Sequence, residues 1–359
     1  SIYIISSNFM ETISVYQDGT IVQFPTAMDL SSTETSNCYI LSASGVYKFK
    51  TVQGNSNSSV GSVARAEVLW ESFGTDVVPS VGDLIKSVSY EDGYIAFQTA
   101  DTFKEGNAVI AAKDVSGKIL WSWHIWLTDE PEGQVYYNSA GTMMDRNLGA
   151  TSATPGDVEA LGLLYQWGRK DPFLGSSSIT MPPRVFAEST IIWPVAVVSD
   201  STNGTIAYAT ANPTTFIMPN KGRTDWLSST DNTRWTESSV AKSIYDPCPS
   251  GWRVPDGGEN GVWAKALGSS SDFDHPFDDT NKGINFSGTF GKDSTIWYPA
   301  AGYCSYHDAL LIHVGWVVFC WSASAQYSPA YCLVSNNDDL SPSSVFGRAR
   351  AASVRCIQE

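Results

Sequence analysis

Short runs in which apolar and polar side chains alternate fill the first third of the chain. Residues 37–42, 45–51, 66–70, 94–99, 108–112 and 119–126 each read as a strand, because successive strand side chains point to opposite faces. Gly54-Asn55, Pro79-Ser80, Asp92-Gly93 and Ser116-Gly117 separate them, turn-forming pairs at the spacing of a β-sandwich. Asp92-Gly93 is the clearest hairpin. It parts Val88-Ser89-Tyr90 from Tyr94-Ile95-Ala96-Phe97, and such a turn needs the positive φ that Asp and Gly tolerate. Residues 1–30 predict two or three further strands, part of this sandwich or a remnant of an upstream domain.

The pattern breaks at Leu127-Thr128-Asp129-Glu130-Pro131-Glu132-Gly133. This run is expected to be a linker with few contacts across it, open to proteases, between a domain at 1–128 and another at 134–359. Beyond it helical signals appear. Thr154-Pro155-Gly156-Asp157 predicts a helix start, with Thr as cap and Pro at the first position. Val158, Leu161, Leu164 and Tyr165 follow at helical spacing, and Gly168 would stop the helix. A second short helix fits 261–267, closed by Gly268. Strand-like text resumes at 295–300, 314–322, 331–335 and 351–357. The fold class read from this is mostly β with an α+β second half: a sandwich followed by a mixed module.

Composition narrows the function classes. The 359 residues suit two cores, and 13 Trp supply large apolar areas. Charged residues are 16%, against roughly 25% in ordinary soluble domains. The polar surface must then come from Ser, Thr, Asn and Gly, a composition common in extracellular β-rich proteins. A net charge of −15 disfavours nucleic acid and anionic lipid as partners. No apolar run approaches the roughly 18 residues of a membrane-spanning helix. The chain starts in strand-like text without Met, which reads as a mature or truncated form whose export signal and lipid anchor have been removed. Its 6 Cys include no Cys-x-x-Cys and no His at metal-finger spacing, so a zinc site is not expected.

Several strings in the second half occur together in a known family. They are Met144-Asp145-Arg146-Asn147-Leu148-Gly149-Ala150, then 162–173 (Gly-Leu-Leu-Tyr-Gln-Trp-Gly-Arg-Lys-Asp-Pro-Phe), Tyr245-Asp246-Pro247-Cys248-Pro249-Ser250-Gly251-Trp252-Arg253-Val254-Pro255, Trp321-Ser322-Ala323-Ser324 and Ser353-Val354-Arg355-Cys356. In that order they resemble the Fibrobacter succinogenes major paralogous domain family of exported Bacteroidetes proteins, over roughly residues 134–359. The resemblance implies a C-type-lectin-like fold, shared with formylglycine-generating enzymes. The first module, through Asn37-Cys38-Tyr39-Ile40, Val68-Leu69-Trp70-Glu71 and Leu120-Trp121-Ser122-Trp123-His124, is similar to the Ig-like domains that precede it in such proteins. The lectin-like fold also implies a disulfide between Cys248 and Cys356, tying an early helix to the last strand. Such a bridge would contribute about 4.7 kcal/mol in the chain-entropy model.

Candidate chemistry is sparse. Of the four His, His124 sits in a Trp-rich strand and reads as a hydrogen-bonded core residue, and His275 lies in an acidic, solvated loop. No Gly-x-Ser-x-Gly elbow presents a serine nucleophile. Cys320 and Cys332 are placed to face each other across a hairpin, yet Cys320 lies in an apolar strand where a thiol is inert, and Cys304 reads as core. The strings of calcium lectins are missing, which leaves Asn336, Asp338 and Asp339 as the nearest oxygen-rich loop and any metal unassigned. Trp297, Tyr298, Tyr306 and Trp316 are candidate aromatic platforms for a sugar. The excursions 175–234 and 272–285, with 336–339, are expected to form the partner-facing surface, so that deleting 199–204 would leave stability unchanged. Trp167, Trp252 and Trp321 are expected in the core.

These readings point to a non-catalytic, cofactor-free binding or adhesion protein at the cell surface, exported to the outer-membrane surface or beyond, a fimbrial tip subunit among the forms it takes. Its partner is then a glycan or a protein. An accessory lipoprotein of an outer-membrane transporter is the alternative, and an enzyme of the formylglycine-generating type the remote one.

Overall fold

The computed structural model describes residues 3–4, 14–17, 20–23, 26–75, 77, 79–175, 195–238, 241–268, 277–286 and 295–359. The chain is mostly β. Among the described residues the α-helices are short, α1 at Ile206–Ala211 and α2 at Val262–Leu267, and no helix is long and apolar enough to cross a membrane.

The strands read between residues 37 and 126 all form, with ends displaced by no more than two residues. They build two 4-stranded sheets. One runs Cys38–Leu41, Ile119–Leu127, Gly106–Lys113, Arg65–Ser72 in spatial order, and the other Met28–Asp29, Val46–Lys50, Tyr94–Thr99, Ile85–Glu91. The Asp92-Gly93 hairpin is present: Glu91 pairs with Tyr94, and φ is 48° at Asp92 and 82° at Gly93. The sheets bury Tyr39, Phe49, Phe97, Ile110, Trp121 and Trp123 between them. A further 3-stranded sheet joins Tyr3–Ile4, Ser14–Gln17 and Thr20–Gln23.

Alternation in Ile119–Leu127 predicts one covered face, but the strand is covered on both. Trp121, Trp123, Ile125 and Leu127 face the sandwich interior. Ser122, His124 and Trp126 point the other way and are buried as well. Residues from the second half lie over them. Trp126 and Cys38 share a core with Met144, Leu163, Trp167, Trp235 and the Cys248–Cys356 pair. Hydrogen bonds cross this seam: Trp126 Nε1 donates to Ala150 O at 3.0 Å, and Ser122 Oγ to Asp171 Oδ1 at 2.5 Å. Asn37 Nδ2 reaches Ile244 O and Asp246 O at 2.7 and 2.9 Å.

The expectation of a loose linker therefore fails. Thr128 is buried, and Arg146 holds the run by pairing with Asp129 at 2.6 Å and donating to Thr128 Oγ1 at 3.1 Å. Backbone completes the clamp, with the Asp145 N–H on Glu132 O at 2.9 Å.

The second half is an assembly of small sheets. Its last strand, Ile357–Gln358, pairs with both Gly141–Met144 and Trp252–Arg253. Next to it Cys248 and Cys356 form a disulfide, Cα atoms 6.1 Å apart. Val318–Ala325, Ala330–Ser335 and Leu340–Phe346 form an antiparallel meander. Helix α2 forms where expected, and Gly268 ends it at φ 70°.

The helix expected from Thr154 does not form. Only a 3-10 turn at Val158–Ala160 appears, followed by the strand Tyr165–Gln166. Gly162 takes φ 73°, and a Cβ there would lie 2.7 Å from Leu148 O, so the chain leaves the helical region at a tight packing point. Leu164 and Phe173 then exchange backbone bonds, and Tyr165 and Gln166 pair with Ala352 and Ala351. Tertiary pairing has overridden a local helical period.

The excursion 175–234 is also not a surface loop where it is described. Val195–Val198 and Thr215–Met218 pair in parallel, and α1 connects them. Ile217, Trp226 and Leu227 of this unit are buried. Segment 199–204 closes it: Gly204 N–H bonds Asp200 O, and Ser228 N–H bonds Gly204 O, each at 2.9 Å. Deleting that segment would remove structure, contrary to expectation. Residues 272–276 and His275 lie outside the described residues.

Trp167 and Trp321 are fully buried, whereas Trp252 is half-buried on its strand. Truncating Trp167 should therefore cost about 3–5 kcal/mol and Trp252 clearly less. Urea unfolding of Trp167→Ala and Trp252→Ala checks this, and equal losses would contradict the burial pattern. The seam generates a second expectation: one cooperative calorimetric transition, with 127–133 resistant to limited proteolysis. Two transitions, or early cleavage at that run, would refute a joined seam.

Candidate functional site

At the seam the fold aligns three groups familiar from cysteine nucleophiles. Cys38 Sγ lies 3.4 Å from His124 Nδ1, and His124 Nε2 lies 2.7 Å from Asn107 Oδ1. Parallel pairing of Cys38 with His124 sets the first contact. Asn107 Oδ1 only accepts, so Nε2 carries the proton and Nδ1 accepts from the thiol. Asn107 Nδ2 then donates to Gly149 O at 2.8 Å, carrying the chain of bonds across the seam. The constellation is sealed. Cys38, His124 and Asn107 are 1%, 2% and 0% exposed. Burial pushes the thiol up and the imidazole down to about 3. The proton stays on sulfur, and no thiolate forms to attack anything. The arrangement is a buried polar strut, in line with the core reading of His124.

The other free thiols are equally enclosed. Cys320 sits opposite Leu333, and Trp321 opposite Cys332. The offset by one residue sends the two thiols to opposite faces, into different cores. They do not face each other across the hairpin, and each is a buried thiol as the apolar text around Cys320 suggests. Burial pushes the Cys320 thiol up to about 12. Cys304 packs with Leu164 and Phe216.

The aromatic candidates divide. Trp297 and Tyr298 are 3% and 0% exposed and are no platform. Their strand, Trp297–Pro299, is covered on both faces, so alternation exposes neither ring. Tyr298 O–H bonds Tyr136 O–H at 2.5 Å and accepts from Trp263 Nε1 at 3.0 Å, while the Arg355 guanidinium lies 3.8 Å over its ring. Trp297 closes over Gly283, where a Cβ would meet its ring at 2.5 Å. Trp316 is 51% exposed, and Tyr306 is half-buried.

Asn336, Asp338 and Asp339 cap the hairpin between Ala330–Ser335 and Leu340–Phe346. Asn336 Oδ1 accepts the backbone N–H groups of Asp338 and Asp339 at 2.8 and 2.9 Å, a self-closed turn. Among the described residues no cluster of His, Cys, Asp and Glu is arranged to hold a metal ion.

Tyr306 belongs to a half-exposed row of rings that its own sequence position does not announce. His313 lies 5.6 Å from Tyr303, the Arg350 guanidinium 5.8 Å from Tyr303 and 4.4 Å from Tyr306, and His307 4.1 Å from Tyr306. The strands Tyr303–Cys304 and Leu311–Ile312 position one side of the row. Beside it opens a cleft of about 520 Å³ that Tyr306 and His307 line together with Met218, Asn220, Lys221 and Arg223. The parallel unit supplies that opposite wall. Arg169 braces this wall: buried and over Phe173 and Trp226, it donates to Thr215 O at 2.7 Å and to Asn212 O, just past α1, at 3.1 Å. Burial lowers even this guanidinium, to about 10.

No family model, curated protein or solved structure matches this chain. The site thus rests on its own geometry. Sequence reading found Tyr306 and missed Tyr303, His307, Arg350, Lys221 and Arg223. The one available signal was the crowding of rings at Tyr303-Cys304-Ser305-Tyr306-His307.

One buried acid at the seam yields a pH test. Burial raises the Asp246 carboxyl to about 6, against the opposing pull of Lys242 and of N–H donors from Val254 and Cys248. An unfolded Asp titrates near about 3.9. The folded chain thus holds the proton more tightly, and this group's penalty, full above pH ~7, shrinks as pH falls through 6 towards 4. The stability of the native chain relative to Asp246→Asn should therefore rise from pH 7 to pH 4. Urea titrations across that range measure it, and a flat difference would show the carboxyl to be solvated.

Proposed function

We propose that the protein is a non-catalytic binding protein of the cell surface, and that it grips a glycan on the platform around Tyr306. The observation that carries this reading is the half-exposed row from His313 through Tyr303, Arg350 and Tyr306 to His307, set beside an open cleft. Aromatic faces match the apolar C–H faces of sugar rings, and amide, hydroxyl and cationic groups nearby read their oxygens. Asn220 and Thr224 supply such groups in the cleft.

Three further features support the reading. The chain is poor in charge and rich in Ser, Thr and Asn. The Cys248–Cys356 bridge suits an oxidising compartment. The motifs of the second half resemble exported surface proteins.

Glycan arrays probed with the full chain test the proposal. Binding should be found, and Tyr306→Ala should weaken it about tenfold or more, about 1.4 kcal/mol, in a chain that still unfolds cooperatively. Binding that ignores Tyr306→Ala, or no glycan bound at all, would overturn it.

A further inference from the structure

The platform's cations point to a narrower class of ligand. Arg350 is held by rings rather than by acids: its guanidinium lies 4.4 Å from the Tyr306 ring centre, 4.9 Å from Phe346 and 5.8 Å from Tyr303. Its Nε is enclosed without an acceptor. Arg146, Arg253 and Arg348 of this half pair with carboxylates, whereas Arg169, Arg223 and Arg355 spend their donors on carbonyl, hydroxyl or amide oxygens. Among the described residues Arg350 has no such partner. A guanidinium stacked on rings keeps its donors in its own plane, the geometry that meets a carboxylate through two parallel bonds.

The adjoining wall has the same sign. Lys221 stands exposed on a tight turn, in which Arg223 N–H bonds Asn220 O at 2.9 Å and Asn220 Oδ1 accepts Lys221 N–H at 2.7 Å. Arg223 is fixed by bonds to Ser228 O at 2.6 Å and Thr230 Oγ1 at 3.2 Å. The cleft lining includes these two cations and no Asp or Glu, in a chain whose net charge is −15. A positive cleft on a negative molecule draws in anions and so favours an acidic ligand over a neutral one of the same shape.

We propose, resting on the glycan-binding reading above, that this platform selects glycans carrying a carboxylate, with Arg350 and Lys221 meeting the acid and the rings of Tyr303 and Tyr306 meeting the sugar. Uronic-acid and sialic-acid glycans share that chemistry. The sulfate group offers a different anion geometry and serves as the contrast.

The experiment uses the full chain on an array that pairs each uronic-acid or sialic-acid glycan with its carboxyl-reduced counterpart, alongside sulfated neutral glycans. The expected result is acidic members bound about tenfold or more tighter than their reduced partners, with the preference shrinking as salt rises. Lys221→Gln and Arg350→Gln should each weaken acidic glycans far more than their reduced partners, removing most of the preference. Lys86→Gln, an equal charge change at an exposed pair with Asp101, should leave the preference intact. Lys221 is exposed, so its variant reads the site even if Arg350→Gln fails to fold. Equal binding of acidic and reduced glycans would overturn the inference and leave the platform reading standing. Sulfated glycans bound as well as carboxylated ones would overturn carboxylate selectivity. No glycan bound at all would overturn both readings.

Discussion

A sheet buried on both faces constrains everything else in this molecule. The Ile119–Leu127 strand packs four large apolar side chains inward, and it must also bury Ser122, His124 and Trp126 against the second half. Polar groups withdrawn from water cost about 1–3 kcal/mol each when left unpaired. The seam meets that cost bond by bond. His124 is satisfied by Cys38 and Asn107, Ser122 by Asp171 and Lys170, and the Trp126 N–H by Ala150. Such bonds are directional, so they fix the orientation of the two halves as well as their contact.

The same rule explains the buried charges of the second half. Lys170 and Asp171 pair at 2.7 Å with 2% and 5% of their side chains exposed. Arg348 is enclosed over Trp167 and donates to the carbonyls of Asp231, Tyr327 and Pro329. Arg355 reaches Asn147 Oδ1 and Trp297 O. Each guanidinium collects acceptors from segments distant in sequence and so ties them together. Removing one such cation would strand several acceptors at once.

Buried structure underlies both sides of the half-exposed row of rings. The turn bearing Lys221 and the loop bearing Tyr306 are both fastened to buried structure, one through the Thr215–Met218 strand and Arg169, the other through Cys304 in its core. A surface held in this way would lose little freedom if a ligand docked on it.

Local chemistry determined much by itself. Period-two alternation with Asp-Gly and Asn-containing turns was enough for the sandwich strands and the Asp92-Gly93 hairpin, and glycines at both ends were enough for α2. It failed where contacts distant in sequence outweighed a local preference. Leu161, Leu164 and Tyr165 keep a helical period, yet Gly162 turns beneath Leu148 and strand pairing with Ala351 and Ala352 takes the segment. Trp297 and Tyr298 have the composition of a platform, and whether a ring is exposed depends on what covers the other face of its sheet. The half-exposed row was not legible either, because Tyr303 and Tyr306 meet Arg350 only after the Tyr303–Cys304 and Ala351–Ala352 strands pair. Sequence determined which segments become strands, since that is set by neighbours along the chain. Tertiary structure decided which faces stay wet and which cations keep no acid, because burial and pairing depend on residues that the chain brings together only on folding.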